Sequence, residues 1–326
     1  MTFKKNLTLN KIVINGALAF DFIFLFNNYF SNYILPDKIH QINISLATED
    51  HQRTFGGTGG NQAFYLGKLG MAPYILTTAG FDFKDYKNFL NKNGVKTDYI
   101  KIIRKKPTAM GSVLTDKRNN QIWVFSQGAI KDSARLTLAP LIKKLGNFFL
   151  VITANYPKTM IKFLFEAIKN KIPFAFDPAF YIPILPKEIL LSGIKNATII
   201  FGNDYEISFL EKISGLGLIR NLKSHQILVK TLGEDGSEIY QNHKKIKIGI
   251  YRVRKTIDPT GAGDAYRAGF LYGFLNHYSL ADCGRLAAAT ASFAVEVKGT
   301  MNKKFNKKLL LNRFVKVKTH SFSFFG

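Results

Sequence analysis

Short apolar runs separated by amphipathic stretches organise this chain. Ile12, Val13 and Ile14 run up to Gly16 and predict a buried first strand. Residues 74–80 predict a second strand. From about residue 131 the pattern becomes regular, with strands predicted at 149–153, 173–177, 197–202 and 226–231. Helical periodicity lies between them, as at 158–170. Residues 61–70 and 83–93 also read as helices, each closed by a glycine, Gly70 and Gly94. Strands alternating with helices imply a parallel sheet with right-handed crossovers and helices on both faces, an α/β fold. Ligands of such a sheet gather at the carboxyl ends of its strands. Asp21, Asp177 and Asn203 all follow predicted strand ends and are expected to converge there.

Two stretches break the pattern. Residues 22–55 are polar and aromatic, with strand-like alternation at Gln41, Ile42, Asn43, Ile44, Ser45 and Leu46. Residues 100–126 have β character around a polar turn at 116–120. The two are expected to pair as a small sheet lying over the ligand edge as a lid. Gly56, Gly57, Gly59 and Gly60 would give its hinge backbone freedom. With no repeat and no low-complexity linker, the whole of 1–326 reads as one domain, carrying a basic C-terminal tail over 301–326 of unknown role.

Charge adds one question. The chain carries 46 basic and 22 acidic residues, a net +24. Ten of the basic residues are Arg, and the lysines are scattered rather than clustered, so a solvated basic surface explains the excess better than specific nucleic-acid binding. Such a field still attracts anionic substrates. The single cysteine, Cys283, allows no internal disulfide and fits a reducing, cytoplasmic compartment. No run of 18 apolar residues exists to span a membrane. Ala17, Leu18 and Ala19 mimic a processing site, but Asn15 and Gly16 interrupt the apolar run before it, which favours a strand over a leader.

The candidate chemistry lies at residues 258–264, where Asp258, Pro259, Thr260, Gly261, Ala262, Gly263 and Asp264 lead into a helix over 265–275. Free amides at a helix start attract an anion, and Asp264 stands at the same end. Phosphoryl transfer accounts for both: the amides of Gly261, Ala262 and Gly263 hold phosphate, and Asp264 takes a proton from an attacking hydroxyl. In isolation, an ordinary first-turn acid reads the same. No GxxxxGK[ST] pattern occurs, which excludes a P-loop.

Residues 258–264 with Ala265 and Gly269 resemble the second signature of the ribokinase-like (PfkB) kinases. Gly56, Gly57, Thr58, Gly59, Gly60 and Asn61 with Ala63, Leu69 and Gly70 resemble the first. Asn203 to Glu206 is similar to the family's Asn-x-x-Glu motif, and residues 231–236 to its nucleotide-binding strand and turn. Four motifs occur in the family's order and spacing over residues 11–300. Residues 16–21, 34–40 and 267–270 look most like the bacterial adenosine kinase branch.

The resemblance implies a three-layer α/β/α core with a mostly parallel sheet and a β-sheet lid. It also implies ATP-dependent phosphorylation of a primary alcohol with Mg²⁺, and a place for K⁺. Asp264 matches the family's base. Asp21 matches the acid that grips vicinal ribose hydroxyls, with Gly57 and Asn61 completing the sugar site. Asn203 and Glu206 would hold Mg²⁺ through water. Thr231 and Gly233 would line the nucleotide site, Arg267 would reach phosphate, and Asp258 would bind a monovalent cation. Phe125 would stack on the acceptor's adenine. Ala109, Met110 and Gly111 stand where a second stacking aromatic is expected, Ala17 replaces a hydroxyl residue, and Ala179, Phe180 and Tyr181 replace polar residues. The expected acceptor is adenosine at its 5′-hydroxyl, with ribose or a ketohexose as the alternative and a nucleic-acid-binding scaffold as a remote one. A homodimer is compatible with all of these.

Overall fold

A computed structural model describes residues 9–118 and 120–323, with residues 320–323 described by backbone alone. The first strand, β1 (Ile12–Asn15), is buried along its length. Two further strands, β2 (Ala19–Leu25) and β3 (His51–Gly56), lead into α1 (Thr58–Lys68). The expected strand at 74–80 is instead two, β4 (Tyr74–Ile75) and β5 (Thr77–Gly80), which part at Leu76 into different sheets. Next come α2 (Lys84–Lys92), β6 (Ile100–Ile103), β7 (Ala109–Thr115) and β8 (Gln121–Ser126). The regular half runs α3 (Ala139–Leu145), β9 (Phe149–Ile152), α4 (Pro157–Lys169), β10 (Phe174–Phe176), α5 (Lys187–Asn196), β11 (Ile199–Asn203), α6 (Asp204–Ser214), α7 (Leu218–Asn221) and β12 (Ile227–Thr231). A meander of β13 (Ser237–Gln241) and β14 (Lys244–Ile248) follows, then α8 (Ala262–Leu275), α9 (Leu280–Ala294), α10 (Lys307–Phe314) and β15 (Thr319–Ser323).

Nine strands form the main sheet in the order β15-β14-β13-β12-β11-β10-β9-β1-β4. The six from β12 to β4 are parallel, while β13, β14 and β15 add antiparallel pairs at one edge. The alternation reading saw only the parallel part. Side chains alternate between the two faces. Ile12, Ile14, Phe149, Val151, Ile199 and Phe201 pack on the layer of α1, α8 and α9. Val13, Leu150, Ile152, Phe174, Phe176 and Ile200 pack on the layer of α4 and α5. The result is a three-layer α/β/α sandwich.

The tail at 301–326 is built into this core. Phe305, Leu310 and Val317 are buried against the α8–α9 layer, and β15 pairs with β14. Residues 1–8, 119 and 324–326 lie outside the described part.

Strands β3, β2, β7 and β8 form a separate four-stranded sheet, with β2 and β7 parallel. Its first part begins earlier than expected, at Ala19, and the alternation at 41–46 forms no strand: only 3₁₀ turns at Phe30–Asn32 and Pro36–Gln41 lie between β2 and β3. Ile42 stays exposed while Ile44 and Leu46 are half-buried, and the alternation pairs with no other strand.

Packing of α8 on α9 places the site. Gly269 and Gly273, four residues apart, share one face of α8. A side chain at Gly269 would meet Ala287 Cα at 2.8 Å, and one at Gly273 would meet Cys283 Cα at 3.0 Å. These glycines let the two helices approach closely, which anchors α8 and aims its N-terminus at the carboxyl edge of the sheet.

Candidate active site

Asp264 occupies the first turn of α8 and is half-buried. The residue before the helix, Gly261, has a φ of 80°, in the left-handed region that favours glycine. A side chain there would also lie 2.6 Å from Thr300 Cβ. Asp264 is held from α1: Asn61 Nδ2 donates to Oδ2 at 2.7 Å, and Gln62 Nε2 to Oδ1 at 3.4 Å. Burial raises its carboxyl pKa to about 6, against the lowering effects of Arg267 and the Asn61 hydrogen bond. The Ala262 amide already donates to the Pro259 carbonyl at 3.2 Å, so the anion-facing turn depends chiefly on Gly261 and Gly263.

Asn61 is 3% exposed, and both ends of its amide are engaged. Its Oδ1 accepts from Thr300 Oγ1 at 2.6 Å while Nδ2 holds Asp264. The structure thus turns the two ends of the Asn61 amide to Asp264 and Thr300. Gly57, with φ 82°, precedes α1 and packs where a Cβ would strike Ala17 O at 2.6 Å.

Asp21 lies within β2, not after a strand end, and is 8% exposed. Thr54, Asp21, Gly111 and Phe125 form one cross-strand row, and Gln52, Ile23, Val113 and Trp123 form the next row on the same face. Two missing side chains make room for the acid. A Cβ at Gly56 would lie 1.8 Å from Asp21 Oδ2, and one at Gly111 2.9 Å from Oδ1. Among the described residues nothing donates a hydrogen bond to this carboxylate. Burial, then the charges of Asp264 and Asp258, push its pKa up to about 7.

A cleft of about 510 Å³ separates this sheet face from the α8 side. Asp21, Ile23, Val113 and Trp123 line one wall, and Asp258, Thr260 and Gly299 the other. The Trp123 ring covers Gly111 beside Asp21, where a Gly111 Cβ would be 3.2 Å from Cζ3. Phe125 meets Phe180 edge-on at 6.3 Å. Trp123 was not singled out from the sequence because it sits in no motif; its place in the β8 row puts it beside the cleft.

The phosphate-side candidates cluster at the ends of β11 and β12. Asn203 and Thr231 are register partners, and Gly233 follows in an exposed turn with φ 60°. Asn203 and Glu206 form a reciprocal cap on α6: Asn203 Oδ1 accepts from the Glu206 amide at 2.7 Å, and Glu206 Oε2 from the Asn203 amide at 2.8 Å. Part of the Asn-x-x-Glu spacing is therefore helix capping. Glu206 Oε1 has no partner among the described residues, and burial raises its carboxyl above the usual range despite Arg267. A hard carboxylate oxygen beside phosphate, with water in the remaining positions, fits Mg²⁺. No group of three or more metal-ligating side chains occurs among the described residues.

Arg267 is 8% exposed and bound from below. Nη2 donates to Asp177 Oδ1 at 2.7 Å, Nε lies 2.7 Å from Oδ2, and Nη2 is 3.6 Å from Glu206 Oε2. Nη2 and Nε are thus committed to internal ion pairs, while Nη1 lies under Gly263. Both oxygens of Asp258 are likewise occupied, accepting the Thr260 amide at 2.9 Å and the Gly299 amide at 3.0 Å. That pins the two loops beside α8 together, a turn-building role in place of an open cation ligand.

The family model described as "pfkB family carbohydrate kinase" matches residues 33–307. The chain is 32% identical over 293 residues to the nucleoside kinase of Methanocaldococcus jannaschii, covering 89% of this chain and 92% of that one. The solved structure of that enzyme superposes with a TM-score of 0.80 at 31% identity over 94% of this chain and 98% of that one. A nucleoside kinase of Burkholderia thailandensis in complex with inosine superposes with a TM-score of 0.84 at 26% identity, covering 94% and 98%. The chain belongs to the pfkB family of carbohydrate kinases, as an ATP-dependent phosphotransferase of its ribokinase and nucleoside-kinase group.

Proposed function

We propose that the chain transfers the γ-phosphoryl group of ATP to the 5′-hydroxyl of a nucleoside, with adenosine the first candidate. The carrying observation is Asp264 in the first turn of α8, held by Asn61 and Gln62, with the segment leading into that helix facing Asp21 across a cleft at Asp258 and Thr260. In this reading Asp264 accepts the hydroxyl proton as the acceptor oxygen forms its bond to phosphorus and the bond to ADP breaks. The amides of Gly261 and Gly263 face the charge on the transferring group. With a pKa raised to about 6, Asp264 is a stronger base than an exposed aspartate and still ionised at neutral pH.

Asp21 accepts from both hydroxyls of a cis-diol, which supplies the donors its carboxylate lacks. Trp123 and Phe125 give the neighbouring flat apolar wall for a base. Glu206, Asn203, Thr231 and Gly233 face the nucleotide. Mg²⁺, when bound near Glu206, neutralises phosphate charge. The four-stranded sheet acts as the lid, moving on the glycine segment at 56–60. The Burkholderia relative solved with inosine supports a purine nucleoside as acceptor. No helix among the described residues is long and apolar enough to cross a membrane, and a cytoplasmic setting suits an ATP-dependent reaction.

ADP release measured against adenosine, inosine, other nucleosides, ribose and fructose tests this reading. Turnover of purine nucleosides above sugars is expected. Ribose turned over in preference to every nucleoside overturns the nucleoside assignment, and full turnover by Asp264→Asn overturns the base assignment.

A further inference from the structure

Four charged side chains meet beneath the first turn of α8: Asp264, Arg267, Asp177 and Glu206. Asp177 follows β10 and is 1% exposed. It accepts a hydrogen bond from Arg267 Nη2 on Oδ1, while Nε lies 2.7 Å from Oδ2 as a charge contact without hydrogen-bond geometry. The guanidinium lies directly under the turn, since a Cβ at Gly263 would be 2.8 Å from Nη1. A second, uncharged route joins the same two acids. Thr153 Oγ1 donates to Asp177 Oδ2 at 2.7 Å and accepts from Gln62 Nε2 at 3.3 Å. The same Gln62 nitrogen donates to Asp264 Oδ1 at 3.4 Å. Gln62 is fully buried and its Oε1 has no hydrogen-bond partner among the described residues. Thr153 and Asp264 thus set its orientation.

We propose that the buried Asp177–Arg267 pair is a positioning element for Asp264. Arg267 acts as the shared counter-ion of Asp177, Glu206 and Asp264, and Asp177 limits how far that charge draws on Asp264. Neither residue touches the reacting atoms. The kinetic consequence rests on the reading of Asp264 as the base; the coupling itself rests on the Gln62–Thr153 bridge between the two acids and on the guanidinium lying under Gly263. Arg267 lowers and Asp177 raises the Asp264 pKa, so the two have opposite signs. The other titratable groups facing Asp264 are Asp21 on the cleft wall and the phenols of Tyr65 and Tyr86, which burial keeps neutral.

The test reads the Asp264 carboxyl directly. Carbon-13 NMR titration of aspartate-labelled protein, with the resonance assigned by its loss in Asp264→Asn, is run on the parent, Asp177→Asn and Arg267→Gln. Asp177→Asn is expected to move the Asp264 titration about one pH unit down, and Arg267→Gln about one unit up. Arg267→Lys keeps the charge and is expected to restore the midpoint without restoring kcat, since Lys lacks the planar guanidinium that bonds Asp177 while lying under Gly263. If Arg267→Gln does not fold, Asp177→Asn and Arg267→Lys still decide. Unmoved midpoints, or shifts of the same sign, overturn the proposal even where activity falls. The acid limb of kcat/KM should follow the same shifts. If Asp264→Asn retains turnover, the base reading fails while the titrations still judge the coupling.

Discussion

Burial pushes both Asp264, at the start of α8, and Asp21, on the wall of the cleft, up the pH scale, yet their surroundings differ. Asp264 sits on a helix end locked by glycine contacts, with two amide donors from α1 and a guanidinium below. Asp21 sits on a small sheet whose β8 strand is exposed along its length, and no described residue donates to its carboxylate. In the proposed reading, the catalytic end is complete before substrate arrives. The acceptor end is built to be completed by hydroxyls and a flat ring. Preorganisation belongs where charge develops in the transition state; selection belongs where the ligand supplies what is missing.

Removing each acid should separate the two ends. Asp264→Asn is expected to lower kcat by about 10³-fold with little change in acceptor KM, read by steady-state ADP release. Asp21→Ala should instead raise acceptor KM by roughly 10²-fold, since a carboxylate accepting two hydroxyls loses charged hydrogen bonds. A fall in kcat alone would erase the distinction between the ends. Trp123→Ala is expected to raise nucleoside KM about tenfold and leave ribose unaffected, from the ~1–3 kcal/mol of a stacked base. Trp123 is the only tryptophan, so its fluorescence reports binding independently.

Proton dependence sharpens the contrast. Both acids act ionised, so function is gained as pH rises through each pKa. The kcat profile should fall below about pH 6 with Asp264. Acceptor KM should rise below about pH 7 with Asp21. A single shared limb in both parameters would show that the two ends titrate as one. The smallest effect is on stability. A carboxyl pKa raised by folding means that ionised Asp21 opposes the fold above pH 7 and costs nothing below its unfolded value. Asp21→Asn should therefore raise Tm by a few degrees at pH 8, with the gain vanishing towards pH 4, by calorimetry.

The core strands were legible because continuous apolar runs such as 149–153 have one use in a soluble fold, a strand covered on both faces. The helices expected at 61–70 and 265–275 were legible because glycine clusters before apolar helices leave few other readings, although each starts three residues earlier, at Thr58 and Ala262. What failed depended on partners distant in the chain. Residues 41–46 alternate like a strand but pair with no other strand. The tail looked featureless because β15 is specified by β14, some seventy residues earlier. Asn61 and Arg267 were recognised as site residues, but their contacts were not foreseeable: one is turned to Asp264 and Thr300, the other to Asp177.

The sequence by itself determined the family, the phosphoryl-transfer chemistry and the identity of the acid at the helix start, because local backbone demands and motif spacing are written along the chain. Only the tertiary structure decided which polar groups satisfy one another. Burial makes each hydrogen bond and ion pair contingent on whatever else the fold brings within reach, and that set includes Gln62, Thr153, Thr300 and Trp123, which no local pattern announces.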